Sequence, residues 1–314
     1  MKKTSLRDFY EGKISPYRSY SSYVKEKFGE KVYKIPIHLK GSCPNRDGTK
    51  GHGGCIFCGE EGGSFEWESI GSVRSQILTT KERMKKRYNA NQFVAYFQNF
   101  TNTYLPLSEF EKNLEQCREE GIVGISVSTR PDCIEDSYLK VLESYSSNYE
   151  ITIELGLQSV NDFTLEKINR GHNLQSFLDA VEKISQYPIR ICVHMILDLP
   201  WDREEDIIQA ARIFNKYKID EVKIHNLYII KNTKLGNMFE SGSFLPLDME
   251  TFIERTILFL EHLNEDVVIG RLTGRAPQSE VENSNWDHSW FYVRDRIVET
   301  MLSSGRVQGS KANL

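Results

Sequence analysis

The chain has 314 residues, of which 39% are hydrophobic and 27% charged, with a formal net charge of -4. That size and balance suit a folded protein with a sizeable core and exclude a low-complexity or disordered chain. They also exclude a surface that is positive all round, so a nucleic-acid partner has to be met by a local patch. The opening MKKTSLRDFYEGK has no apolar stretch behind its lysines, and nowhere do about 18 uncharged apolar residues run together. A cytoplasmic protein with no membrane anchor is expected. Six cysteines in such a chain read as reduced thiols or metal ligands rather than disulfides.

In chain order, residues 1–30 mix aromatics and cations (Tyr17, Arg18, Tyr20, Tyr23, Lys25) without strand periodicity and read as an N-terminal extension. Short β-rich apolar runs then follow at Val32 to Leu39, Gln92 to Phe97, Ile122 to Val127, Ile151 to Leu157, Ile189 to Leu197, Glu221 to Ile229 and Val267 to Leu272. Helical spacing separates them, as in Leu107, Phe110, Leu114 and Cys117, or Phe177, Ala180, Val181 and Ile184. The basic run Lys81 to Arg87 lies between the first two strands and is either a solvated helix face or a phosphate contact. Strands alternating with helices imply right-handed crossovers and a parallel α/β sheet, closed or partly closed as a barrel, with a doubly wound open sheet as the rival. No repeat or long linker interrupts the pattern, so one domain over residues 31–277 is expected. The C-terminal extension, 278–314, carries a helix from Val293 to Met301 and a polar end, Ser303 to Leu314, that should fray.

The decisive segment is Cys43-Pro44-Asn45-Arg46-Asp47-Gly48-Thr49-Lys50-Gly51-His52-Gly53-Gly54-Cys55-Ile56-Phe57-Cys58, three cysteines in a glycine-rich loop after the first strand. Three thiolates with no fourth nearby suit a [4Fe-4S] cluster with one iron left open to chelation by a small molecule. Two alternatives share the residues: a structural zinc site completed by His52, and buried thiols without a metal.

This segment resembles the radical S-adenosylmethionine (SAM) superfamily, and within it the branch related to the catalytic subunit of Elongator, typified by CPNRDGTKGxGGCIFC. Most of the superfamily spaces its cysteines CxxxCxxC. Here eleven residues separate the first two, which departs from that spacing and agrees with the branch. The resemblance runs from about Lys31 to about Pro277. It implies a partial parallel (β/α)6-type radical SAM barrel with N- and C-terminal extensions, Cys43, Cys55 and Cys58 as cluster ligands, and Phe57 as the aromatic that shields the cluster.

For SAM, the resemblance implies contacts from several strand ends. Gln98, Asn99 and Thr101 stand where relatives carry Gly-Gly-Glu. Ser128, Arg130 and Asp132 line the pocket, and Arg130 suits a carboxylate; a helix cap by Asp132 is the alternative. Glu154 and Gln158 hold the ribose and amino group, unless Glu154 belongs to a buried ion pair. Arg170 approaches the SAM carboxylate while His172 is structural. The loop His194 to Asp202 packs on the adenine, with His194 itself read as a satisfied core residue, and Tyr228 stacks on SAM or substrate. Cys133 is either a hydrogen-atom donor or packing. The implied function is reductive cleavage of SAM, fed by a one-electron donor such as flavodoxin or ferredoxin, for modification of the wobble-uridine 5-substituent of tRNA. Radical chemistry on a small metabolite or peptide, and a non-catalytic zinc protein that docks RNA or a partner, are the alternatives.

Overall fold

The computed structural model describes residues 5–59, 71–275, 281–283 and 285–313; the expected boundary at residues 277–278 lies outside them. Two compact units divide the chain. One comprises Ser21–Leu157 and Gln175–Cys192, the other Met1–Tyr20, Gln158–Leu174 and Val193–Leu314.

The strands are β1 (Val32–Ile37), β2 (Gln92–Phe97), β3 (Ile122–Thr129), β4 (Glu150–Gln158), β5 (Arg190–Ile196), β6 (Glu221–His225), β7 (Ile229–Ile230), β8 (Val268–Arg271) and β9 (Val281–Asn283). Seven form one sheet in the order β1-β2-β3-β4-β5-β6-β8. A doubly wound sheet reverses its order at a switch point, whereas this order simply follows the chain, as in a (β/α) barrel. The fold is thus the expected α/β type, and the seven expected runs supply the seven strands of this sheet.

In the unit holding β1 to β4, register decides which side chains share a face. Ile35, Ala95, Ile125 and Ile151 form one row, and Ile37, Phe97, Val127 and Ile153 the next. All eight are buried, each large one contributing about 1.5–3 kcal/mol. Ile77 of α3 (Val73–Tyr88), Phe110 and Leu114 of α4 (Leu107–Glu115), Leu139 and Leu142 of α5 (Asp136–Tyr145) and Phe177 of α7 (Leu174–Ile184) are buried too, giving each helix an apolar stripe. The opposite sheet face is polar, with Lys34, Tyr96, Ser126, Ser128 and Glu154 in alternate register positions.

Helix α3 starts on the Ser72 hydroxyl, which accepts from Ser75 N, and ends at Asn89 in the left-handed region at φ 51°. It carries the chain from the carboxyl end of β1 back to the amino end of β2, so its basic last turn lies about 24 Å from its first by helical rise. Lys81 of the basic run is buried and donates to the Glu120 carbonyl; the exposed cations are Arg83, Lys85, Lys86 and Arg87.

The other unit departs from expectation twice. The run Glu221 to Ile229 is broken after His225, because Leu227 N donates to Asp198 Oδ1 at 2.8 Å while Asn226 Oδ1 accepts from Thr273 Oγ1 at 2.8 Å and Gly274 N at 3.3 Å. Beyond the break β7 pairs antiparallel with β9. The polar end of the chain does not fray. Helix α11 runs over Trp290–Ser304, after which buried Gln308 donates to the Asn264 and Val267 carbonyls and accepts from Arg18 N, and Lys311 pairs with Glu261 at 2.9 Å.

Candidate cluster-binding site

The cysteine loop is organised by its own backbone. Arg46 N donates to the Cys43 carbonyl at 2.7 Å, Gly54 N to Asn45 O at 2.8 Å and Cys58 N to Cys55 O at 3.0 Å. Two side chains of the loop reach sulfur. Asn45, with no exposed surface, places Nδ2 3.7 Å from Cys55 Sγ. Arg46 places Nη2 3.0 Å from Cys58 Sγ and 3.1 Å from the Cys58 carbonyl, and also donates to Gly59 O. Its guanidinium lies 5.8 Å from the centre of the Phe100 ring.

Two glycines make room for these donors. A methyl at position 51 would overlap Asn45 Oδ1, and one at position 54 would come within 3.0 Å of Arg46 Cγ. Gly54 also sits at φ 73°, which other residues resist. Burial pushes the Cys58 thiol up, as do the Cys55 and Cys43 thiols beside it, while the Arg46 charge opposes them. A cation bound among them would draw them to thiolates. The donor set fits a thiolate-held centre. A zinc ion about 2.3 Å from each sulfur would need Cys43, His52, Cys55 and Cys58 drawn tightly around one point.

The turn after β3 faces this loop. Arg130 is buried and forms a bidentate pair with Asp132, Nε to Oδ1 at 2.9 Å and Nη2 to Oδ2 at 3.0 Å. The carboxylate that Arg130 meets is therefore one from its own turn, and Asp132 acts as its partner instead of a side-chain helix cap. Lys50 of the cysteine loop donates to the Asp132 carbonyl and lies 3.7 Å from Oδ2, tying loop to turn. Burial, followed by the Asp132 charge, pushes the Cys133 thiol up to about 12, so it stays protonated. Thr103 Oγ1 meets Thr129 Oγ1 and donates to the Cys133 carbonyl, each at 2.6 Å.

Among the residues in the Gly-Gly-Glu position, Asn99 is engaged by backbone: it accepts from Leu39 N at 3.0 Å and donates to Leu39 O at 2.8 Å. Thr101 is buried and Gln98 half-buried at the end of β2. Asn102, which the sequence reading passed over, donates to the Ser128 carbonyl at 2.8 Å and so joins the ends of β2 and β3. Ser128 Oγ lies 3.3 Å from Tyr96 Oη.

On the polar face, fully buried Glu154 pairs with Lys34 Nζ at 2.8 Å and accepts from Ser126 Oγ at 2.6 Å. The buried ion pair left open as an alternative is present, and its cation comes from β1. A lysine in the apolar run VYKIPI was the signal for it, since a carboxylate buried elsewhere in the same sheet demands an opposite charge.

Gln158, Arg170 and Tyr228 belong to the other unit. Gln158 ends β4 in the left-handed region at φ 80°, a strained conformation for this residue. Arg170 is buried, and burial pushes the Tyr228 hydroxyl up. His194 and His225, both half-buried, stack at 5.1 Å with Nδ1 and Nε2 3.1 Å apart, so one ring donates and the other accepts. Asp198 is pushed up to about 7 and Asp202 to about 6, both by burial. No helix among the described residues is long and apolar enough to cross a membrane.

Residues 47–231 match the Radical SAM superfamily and residues 219–303 the Radical_SAM C-terminal domain; the first match includes Cys55 and Cys58 and begins just after Cys43. The chain belongs to the radical SAM superfamily. Within it the chain falls on the Elp3-like branch. It is 26% identical over 162 residues to Elongator complex protein 3 of Homo sapiens, covering 50% of this chain and 28% of that one. The uncharacterized protein YtqA of Bacillus subtilis is 30% identical over 302 residues, covering 96% of this chain and 94% of that one. Among solved structures, archaeal Methanocaldococcus infernus Elp3 lacking residues 1–46 superposes with a TM-score of 0.66 at 18% identity, over 88% of this chain and 64% of that one.

Proposed function

We propose that this protein binds a [4Fe-4S] cluster through Cys43, Cys55 and Cys58, cleaves SAM reductively, and modifies tRNA at the wobble-uridine 5-substituent. The observation that carries the first part is the cysteine loop: three neighbouring thiols, two of them with N–H donors from Asn45 and Arg46. A cluster held by these cysteines would supply the one electron that reductive cleavage of SAM requires.

The chain's own residues bind, orient and shield. The Lys50–Asp132–Arg130 contacts hold the cysteine loop against the β3 turn. Glu154, held by Lys34 and Ser126, offers a fixed carboxyl group for an ammonium or hydroxyl donor. Gln98, Thr101, Ser128, Gln158, Arg170 and Tyr228 are the further SAM contacts proposed, with Asn99 placing the loop. Tyrosine and backbone groups orient SAM, so that reactive atoms meet without water.

The tRNA part rests on the resemblance to the Elongator catalytic branch and on the exposed cations Arg83, Lys85, Lys86 and Arg87. A one-electron donor of the flavodoxin or ferredoxin kind would reduce the site. The test is anaerobic reconstitution with iron and sulfide, then SAM and dithionite, with assay of 5′-deoxyadenosine beside a Cys43→Ala, Cys55→Ala, Cys58→Ala variant. Brown protein that makes the nucleoside only with its three cysteines is expected; colourless, zinc-containing protein without product overturns the reading. Nucleoside analysis of tRNA from cells lacking the protein tests the substrate, an unchanged wobble uridine overturning it.

A further inference from the structure

We infer that Arg46 and Asn45 are tuning residues, which donate to the ligand sulfurs and raise the reduction potential of the cluster that Cys43, Cys55 and Cys58 bind. The inference rests on the cluster reading proposed above and goes beyond it.

Geometry carries the argument. Arg46 Nη2 stands at hydrogen-bond distance from Cys58 Sγ, 3.0 Å, while the same nitrogen is steered by the Cys58 and Gly59 carbonyls. Asn45 Nδ2 approaches Cys55 Sγ at 3.7 Å from a side chain with no exposed surface. Neither position is accidental in the loop, because Gly51 and Gly54 clear the volume that the two donors occupy. The motif thus spends two of its glycines on placing N–H groups against sulfur.

The consequence follows from charge. A thiolate that accepts a hydrogen bond gives less electron density to iron, and a fixed guanidinium favours the state carrying one more negative charge. Both effects stabilise the reduced cluster, which is the form that hands an electron to SAM. Arg46 contributes charge and a hydrogen bond, Asn45 a hydrogen bond alone, so the effect of Arg46 is the larger.

The experiment is an anaerobic redox titration of the reconstituted full chain, followed by the electron paramagnetic resonance signal of the reduced cluster. Wild type is compared with Arg46→Lys, Arg46→Gln and Asn45→Ala, with iron and sulfide content measured on each. Arg46→Gln is expected to lower the reduced-to-oxidised ratio at a fixed potential about tenfold, about 59 mV for one electron. Arg46→Lys should restore most of it, and Asn45→Ala should give a smaller fall. Variants that hold a full cluster at the wild-type potential overturn the inference and leave the cluster reading standing. A wild type that takes up no cluster overturns the reading beneath it. Should Arg46→Gln fail to load, a wild-type potential in loaded Asn45→Ala and Arg46→Lys likewise overturns it, and a graded fall in those two supports it.

Discussion

Asn45 has no exposed surface, and its room exists because residue 51 is glycine. Gly51 does not stand in the left-handed region, so Gly51→Ala adds one methyl without backbone strain, and its effect runs through Asn45 alone. The expected result is a double-mutant cycle in which Gly51→Ala and Asn45→Ala each weaken iron retention several-fold under chelator, while the pair does no worse than either one. Iron release measured against a chelator checks it, and additive losses would show that the two residues act separately. This scale also marks what the sequence could and could not reveal. Three cysteines in one glycine-rich loop are legible because their chemistry and spacing lie within sixteen consecutive residues. The sulfur donors were in plain view inside the same motif, but whether Arg46 turns toward Cys58 or toward solvent depends on how the loop folds. The Lys34–Glu154 pair joins residues 120 apart in the chain, on strands that are not adjacent in the sheet, and only the folded chain brings them together.

Registers and turns set the next scale. The seven parallel strands were legible from short β-branched runs, and most boundaries differ by one or two residues, as for β1, which stops at Ile37 rather than Leu39. The apolar run Glu221 to Ile229 was not legible as two strands, because hydrophobicity continues through Leu227 while hydrogen bonds accepted by Asp198 and Asn226 hold the backbone in a turn. The ordered end of the chain was missed for a similar reason. Gln308 is polar, yet three backbone partners bury it. Asp198 gives this scale a pH prediction. Burial raises its carboxyl to about 7 in the folded state, above the unfolded value, so the native chain binds the extra proton between about pH 4 and 7. Stability supplied through this group is therefore highest in acid and falls as pH rises through that window. Asp198→Asn keeps an acceptor for Leu227 N and removes the ionisation. It is expected to stabilise the protein at pH 8 by on the order of a few kcal/mol and by less at pH 5, where only the lower part of the window has been crossed. Denaturant midpoints at the two values check this; a larger gain at pH 5 would contradict it.

At the scale of the whole molecule, sequential strand order followed from the strict alternation of strands and helices, and the family assignment agrees with it. What alternation leaves open is the encounter with a large, charged substrate. A chain with net charge -4 repels RNA at long range, so binding has to come from places where cations cluster. The last turn of α3 is such a place, with Lys85, Lys86 and Arg87 exposed and the Arg87 guanidinium 5.1 Å from the centre of the Tyr88 ring. It lies at the far end of α3, about 24 Å by helical rise from the helix's opening turns, where Gln76 bonds to His38 at the carboxyl end of β1. That separation is too large for the α3 cations to touch a nucleotide held at the carboxyl ends of the strands. Their contact would be with backbone phosphates of the flanking stem. Replacing Lys85, Lys86 and Arg87 by alanine should therefore weaken tRNA binding and lower the slope of log affinity against log salt by roughly 2 to 3, while 5′-deoxyadenosine formation without tRNA stays at the wild-type rate. Filter binding across a salt series separates the outcomes. A changed slope with unchanged SAM cleavage assigns the helix to the stem. An unchanged slope makes the basic turn an ordinary solvated helix end, and the phosphate contacts then belong to other surfaces of the protein.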